Sequence, residues 1–81
     1  MSIEIKLFAV AKQIAGTDSI TVTLAPHATI GQLRLCLQRQ FPELQSLLSQ
    51  LRFAVNADYA NDATVIPPDA EVACIPPVSG G

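Results

Sequence analysis

The chain has 81 residues, five Lys plus Arg against seven Asp plus Glu, and a formal net charge of −2. That length holds one domain with a thin core, and Lys6, Lys12, Arg34, Arg39 and Arg52 are too scattered to form the cationic stripe that nucleic-acid phosphates require. A hydrophobic share of 49% exceeds what one small layer of core hides, so an apolar patch is expected to face a partner.

In chain order, Ile3, Ile5 and Leu7 alternate with Glu4, Lys6 and Phe8, the two-residue period of a half-buried strand. The charges at Glu4 and Lys6 also break what would have to be an uninterrupted apolar run in a signal peptide. Val10 to Ala15 predicts a short helical turn ended by Gly16. Ile20, Val22 and Leu24 predict a second strand, closed by Pro26, so that the chain opens with a hairpin. Thr29 and Gln32 then stand at capping-box spacing. They head a helix whose stripe is Ile30, Leu33, Leu37 and Phe41, with Cys36 beside it, and Pro42 stops it.

Leu44, Leu47, Leu48 and Leu51 predict one further short helical segment that packs in the core; the run is too short for a zipper. Phe53 and Val55 resume a strand pattern, Asn56-Ala57-Asp58 reads as a turn, and Tyr59-Ala60 as a short return. Thr64 to Ile66 is expected to pair briefly before Pro67-Pro68. The last strand runs from Glu71 to Ile75, with Val72 and Cys74 on one face and Ala73 and Ile75 on the other. Strand, strand, helix, strand, short strand, strand implies an α+β fold: a mixed sheet with one main helix packed across one face, the ubiquitin-like β-grasp. The expected division is a body over 1–75 and an extended tail over 76–81.

The residues do not assemble an enzyme's active site. His27, beside Pro26, reads as an exposed loop residue without the positioned partners a general base needs. Asp58, Asp62, Asp69 and Glu71 lack calcium-loop spacing and read as solvated turn carboxylates, and Gly16 and Gly31 form no phosphate-cradling loop. Cys36 and Cys74 are far apart and, with a single histidine, make no zinc set; they read as small buried hydrophobes in a reducing compartment. No bound metal or cofactor is expected. No stretch approaches the ~18 to 20 apolar residues that span a bilayer, so the expectation is a cytoplasmic protein without membrane or nucleic-acid partners.

Chemistry is expected at the end of the sequence, Pro76-Pro77-Val78-Ser79-Gly80-Gly81. The prolines are stiff and lack backbone donors, so they end the strand and extend the chain; the six residues reach roughly 20 Å. Two glycines without side chains can thread a narrow channel and deliver a carboxylate into another protein's active site. Condensation with ATP would make that carboxylate an acyl-adenylate, and sulfur would displace the adenylate to leave a thiocarboxylate on Gly81. If the core-facing alternation holds, Phe8 and Ile75 face outward beside the tail root, with Tyr59 near them, as a docking patch. Arg39 and Arg52 are candidates to pair with acidic groups on the partner.

The tail from Ile75 to Gly81, Leu7-Phe8-Ala9 followed by Gly16, and Ala54-Val55-Asn56 with Tyr59 together resemble the small subunit of molybdopterin synthase. The resemblance spans the chain. It implies a ubiquitin-like fold, activation of Gly81 by an ATP-dependent adenylating enzyme, a sulfur donor protein, and insertion of the tail into a large catalytic subunit, commonly in a heterotetramer. On this reading the chain donates sulfur in molybdenum cofactor synthesis and is itself non-catalytic. Gly80 threads; Pro76, Pro77, Val78 and Ser79, with Phe8, Tyr59 and Ile75, meet the partner. Lys12-Gln13 stands where that family often has Arg-Glu, and Pro68-Asp69-Ala70-Glu71-Val72 where it often has Asp-Gly-Asp-Glu-Val. Three other roles fit the same residues: a sulfur carrier for thiamin thiazole synthesis, a ubiquitin-like protein modifier, and an interaction module with an inert tail.

Overall fold

The computed structural model describes residues 1–47 and 49–76. Alternation decides the first strand. In β1 (Ser2–Leu7), Ile3, Ile5 and Leu7 are buried and the residues between them exposed. Phe8 stays extended, Ala9 turns left-handed at φ 51°, and the chain enters α1 (Ala9–Ala15). Gly16 ends that helix in the left-handed conformation expected of it, its N–H bonded to the Lys12 carbonyl at 2.9 Å. β2 (Ser19–Thr23) returns antiparallel to β1.

The capping box forms at the head of α2 (Ile30–Gln40). The Gln32 N–H donates to Thr29 Oγ1 at 3.3 Å, and the Thr29 N–H donates to Gln32 Oε1 at 2.8 Å. Ile30, Leu33 and Leu37 are buried as one stripe; Phe41 closes the helix and is half-buried. The leucine run beyond it departs from the expected helical segment. It begins with a 3-10 turn at Pro42–Leu44, and the bonds Gln45 to Pro42, Leu47 to Leu44 and Gln50 to Leu47 span three residues, with Leu51 to Leu47 spanning four. Pro42 has no N–H to continue the ladder, and Phe41, at φ −131° and ψ 75°, has already left helical geometry. Leu44 and Leu51 are buried nonetheless; Leu48 lies outside the described residues.

β3 (Arg52–Val55) and β4 (Asp58–Ala60) form a hairpin, and β5 (Val72–Ile75) completes the sheet. The strand order is β2-β1-β5-β3-β4, with β5 parallel to β1 and antiparallel to β3. The stretch expected to pair at Thr64 to Ile66 does not join this sheet. It makes one bridge, Thr29 to Val65, and the Ile66 N–H donates to the Ala28 carbonyl at 2.8 Å, which ties the stretch to the head of α2. The core is the set Ile3, Ile5, Leu7, Val22, Phe53, Val55, Val72 and Cys74 from the sheet against Ile30, Leu33 and Leu37 of α2. A mixed sheet gripped across one face by one main helix is the β-grasp that the element order implied.

Two local devices set the register. Asn56, left-handed at φ 50°, donates its N–H to the Glu71 carbonyl at 2.8 Å and accepts the Glu71 N–H on Oδ1 at 3.0 Å, clamping the β3–β4 turn to the start of β5. With Ala57 at φ 72° the two-residue loop has both central residues left-handed, the turn whose twist suits a tight hairpin. Asn tolerates that conformation; Ala does not. Ala57→Gly is therefore expected to stabilise the fold by roughly 0.5–1 kcal/mol in urea unfolding, after allowing for the looser unfolded chain, whereas Asn56→Ala, which removes a bonded cap, is expected to cost about 1 kcal/mol.

Candidate functional site

The last described strand lies in the middle of the sheet. β5 lies between β1 and β3, Val72 and Cys74 are fully buried, and α1 packs beside it. A strand held on both edges is a rigid base for whatever follows it. Ile75, opposite Arg52 of β3, is half-buried. Pro76, expected to begin an extended partner-binding tail, is buried in the body. Pro77, Val78, Ser79, Gly80 and Gly81 lie outside the described residues.

The face of the sheet away from α2 carries the candidate docking residues. Phe8 follows Leu7 in extended backbone (φ −126°, ψ 155°), so its side chain turns to the outer face; it is 48% exposed. Leu7 pairs with Cys74, which puts Phe8 and Ile75 at the same end of adjacent strands, at the tail root. Tyr59, 70% exposed, sits on the edge strand β4. The register places it in the row next to theirs, Lys6 to Ala73 to Ala54 to Tyr59, while Ile75 stands level with Arg52. Phe8 and Ile75 are thus brought together, and Tyr59 is linked to them by a flat strip of two alanines. Ala54 was not anticipated in this role. It is buried yet stands apart from the core beneath α2; its place between Phe53 and Val55 in an alternating strand was the signal.

Charges frame the strip. Lys6 Nζ stands 3.3 Å from Glu71 Oε1, and Lys12 Nζ stands 2.7 Å from Asp18 Oδ1 across a shallow hollow of about 390 Å³ lined by Phe8. All four side chains are exposed, so these pairs contribute little to stability and can be exchanged for a partner's charges. Arg52 is exposed next to Ile75, on the same face; Arg39 is on α2, on the other side of the sheet. Of the two arginines considered for partner pairing, Arg52 is the one beside the tail root.

A phosphate site is not built at the head of α2. The Ile30 N–H donates to Thr64 O, Gly31 to Asp62 O, Gln32 to Thr29 Oγ1 and Leu33 to Thr29 O, so the amides that would cradle an anion are occupied. Arg34 closes the same corner: its Nε donates to Asp62 Oδ1 at 2.8 Å, and its guanidinium lies 4.9 Å from the centre of the Phe53 ring. His27 is exposed in the loop after β2, at φ 64°. Among the described residues, no three His, Cys, Asp or Glu side chains gather as metal ligands, and no helix is long and apolar enough to cross a membrane.

The thiols differ in environment. Cys36 is half-buried on α2, with Gln40 Nε2 donating to its sulfur at 3.7 Å; Cys74 is buried in β5. Burial pushes the Cys74 thiol up from 9.0 to about 11, with the Arg34 charge opposing. A thiol so held is no nucleophile at neutral pH.

The sequence profile of the ThiS family matches residues 5–81, a range that takes in Gly80 and Gly81. The molybdopterin synthase sulfur carrier subunit of Arabidopsis thaliana is 34% identical, over 99% of this chain and 85% of that one. Its counterpart of the same description in Dictyostelium discoideum is 38% identical, over 96% and 94%. Among solved structures, the small archaeal modifier protein 1 of H. volcanii superposes with a TM-score of 0.84 at 27% identity, covering 95% of this chain and 98% of that one.

Alkylation of the native chain at pH 8 is expected to label Cys36 well before Cys74, read by peptide mass. The folded state holds the Cys74 proton more tightly than the unfolded state. Its contribution to stability is therefore complete below about pH 9 and lost as pH rises toward 11. The urea midpoint should fall more steeply across that window in the wild type than in Cys74→Val.

Proposed function

This chain belongs to the ThiS family, and from that membership we propose that it is the sulfur carrier of molybdopterin synthesis, with the carboxyl of Gly81 as the group that bears the sulfur. The observation that carries the reading is the likeness, over nearly the whole length, to sulfur carrier subunits of molybdopterin synthase. The fold supports it by rooting the tail in the central strand and leaving an apolar strip beside that root.

The steps follow from the chemistry of a carboxylate, which is a poor acyl donor. An adenylating enzyme condenses the Gly81 carboxylate with ATP, releasing pyrophosphate and leaving a mixed anhydride. Sulfur released at the sulfide level from a donor protein attacks the acyl carbon as hydrosulfide, AMP departs, a proton is lost, and a thiocarboxylate remains. The loaded tail then enters the active site of a large subunit, where the thiocarboxylate sulfur bonds to a pterin precursor and water cleaves the acyl–sulfur bond, leaving the sulfur on the precursor and regenerating the carboxylate. Gly80 lets the chain pass a narrow channel. Phe8, Ile75 and the Ala73–Ala54–Tyr59 strip dock against each partner in turn, in a heterotetramer of two small and two large subunits. The work is placed in the cytoplasm, and this chain holds no cofactor of its own; ATP belongs to the activating enzyme.

A second reading, a protein modifier, is favoured by the likeness to the archaeal modifier protein. It shares the adenylation step and ends instead in an amide with a lysine of another protein.

Intact mass decides between them. Chain incubated with adenylating enzyme, ATP and sulfur donor is expected to gain the mass of one oxygen exchanged for one sulfur, and to yield molybdopterin when large subunit and pterin precursor are added. Attachment to lysines would support the modifier instead, and an unchanged mass would refute both. Deleting Gly81 is expected to abolish the gain with no change in unfolding midpoint. Phe8→Asp should weaken binding to the large subunit by tenfold or more, on the order of 1.4 kcal/mol, and leave the fold intact.

A further inference from the structure

The two edges of the sheet are built differently. β4 is three residues long and begins with the charged Asp58, features that discourage pairing with another chain. β2 is five residues, Ser-Ile-Thr-Val-Thr, with no charge and no proline, and it pairs one-to-one with β1 from Thr23 to Ser19 without a bulge. No described strand lies on its other side. The backbone bonding shows which of its groups are left over. Leu24 exchanges bonds with Met1, and the Leu7 N–H donates to Asp18 O, so the alternation of the antiparallel ladder turns Ile20 and Val22 toward β1. The N–H and C=O groups of Ser19, Thr21 and Thr23 therefore point outward along the edge.

We propose that this edge pairs antiparallel with β2 of a second copy of the chain, about a two-fold axis at Thr21. The register is self-complementary. Thr21 meets Thr21 and Ser19 meets Thr23 as hydrogen-bonded pairs, the Ser19 carbonyl, which already accepts from Thr17 Oγ1 at 3.2 Å, using its second lone pair, and Ile20 stands opposite Val22 on the core side. No like charges meet: Asp18, just outside the strand and already paired with Lys12 at 2.7 Å, stands opposite Leu24 of the second copy. Apolar surface adjoins the same edge. Leu35 of α2 is 56% exposed and, with Thr23, Leu24 and Cys36, lines a hollow of about 470 Å³ between α2 and the end of β2. The contact is small beside the ~800 Å² per partner of a stable interface, so the pair is weak and forms at high concentration. Because β1 separates β2 from β5, the tail root stays open in the pair, and the proposal stands apart from the sulfur-carrier reading.

Sedimentation of the full chain from about 10 µM to about 1 mM tests it, since contacts of this size give weak association. Wild type is expected to pass from monomer to dimer and no further. Thr21→Lys, which sets like charges against each other at the two-fold axis, should remain monomeric with an unchanged unfolding midpoint, and Thr21→Val should dimerise as the wild type does. Amide exchange on the unmodified chain gives a site-resolved reading that needs no variant: protection at Thr21 and Thr23 should rise roughly tenfold with concentration while Ile20 and Val22 change little. A wild type that stays monomeric throughout, species larger than a dimer, concentration-independent exchange at Thr21 and Thr23, or association lost in Phe8→Asp rather than Thr21→Lys would each overturn the proposal.

Discussion

The placement of β5 governs the rest of the molecule. It is the central strand of the sheet, bonded to β1 in parallel and to β3 antiparallel, and it drives Val72 and Cys74 into the core under α2. Among the described residues, the N-terminal hairpin and the β3–β4 hairpin are joined in the sheet only through it. The Asn56 clamp and the burial of Pro76 fix its two ends. Everything proposed for the tail presupposes this fixed point, because a reach of a few residues is useful only from a base that does not move.

The same strand divides the sheet into two faces with different work. One face packs Ile3, Ile5, Leu7, Phe53 and Val55 against the helix and supplies stability. The other exposes Phe8 and Tyr59 and lays two alanines flat between them. Small residues there let a partner approach the backbone closely, and the aromatic rings at the two sides supply buried area when it does. The flanking ion pairs are exposed, so they contribute little to the fold. An apolar excess that the composition alone left unexplained thus has a location.

What could be read in advance was what is local. The alternation of β1, the capping box at Thr29 and Gln32, the left-handed stop at Gly16 and the break at Pro42 each depend on a few adjacent residues, and each formed as expected. The leucines after Pro42 have helical spacing, but their first turn is 3-10, because Pro42 has no N–H for the ladder and Phe41 has already left helical geometry. Thr64 to Ile66 has the composition of a strand, but tertiary bonds to Ala28 and Ile30 claim its backbone. The candidate site was legible in part. Phe8 and Ile75 followed from alternation, whereas the role of Ala54 and the burial of Pro76 depend on which strands become neighbours, and nothing in a single strand's sequence states that.

The pairing of β1 with β5 joins residues 2–7 to residues 72–75, nearly the full span of the chain. A ribosome that has released the hairpin and the helix still holds back the strand that locks them, so the native state waits for synthesis to pass β5. The strip beside the tail root is assembled in that same event, since Ala73 and Ile75 belong to the late strand. A truncated or stalled chain then lacks the strip as well as the central strand, so only finished chains present that surface.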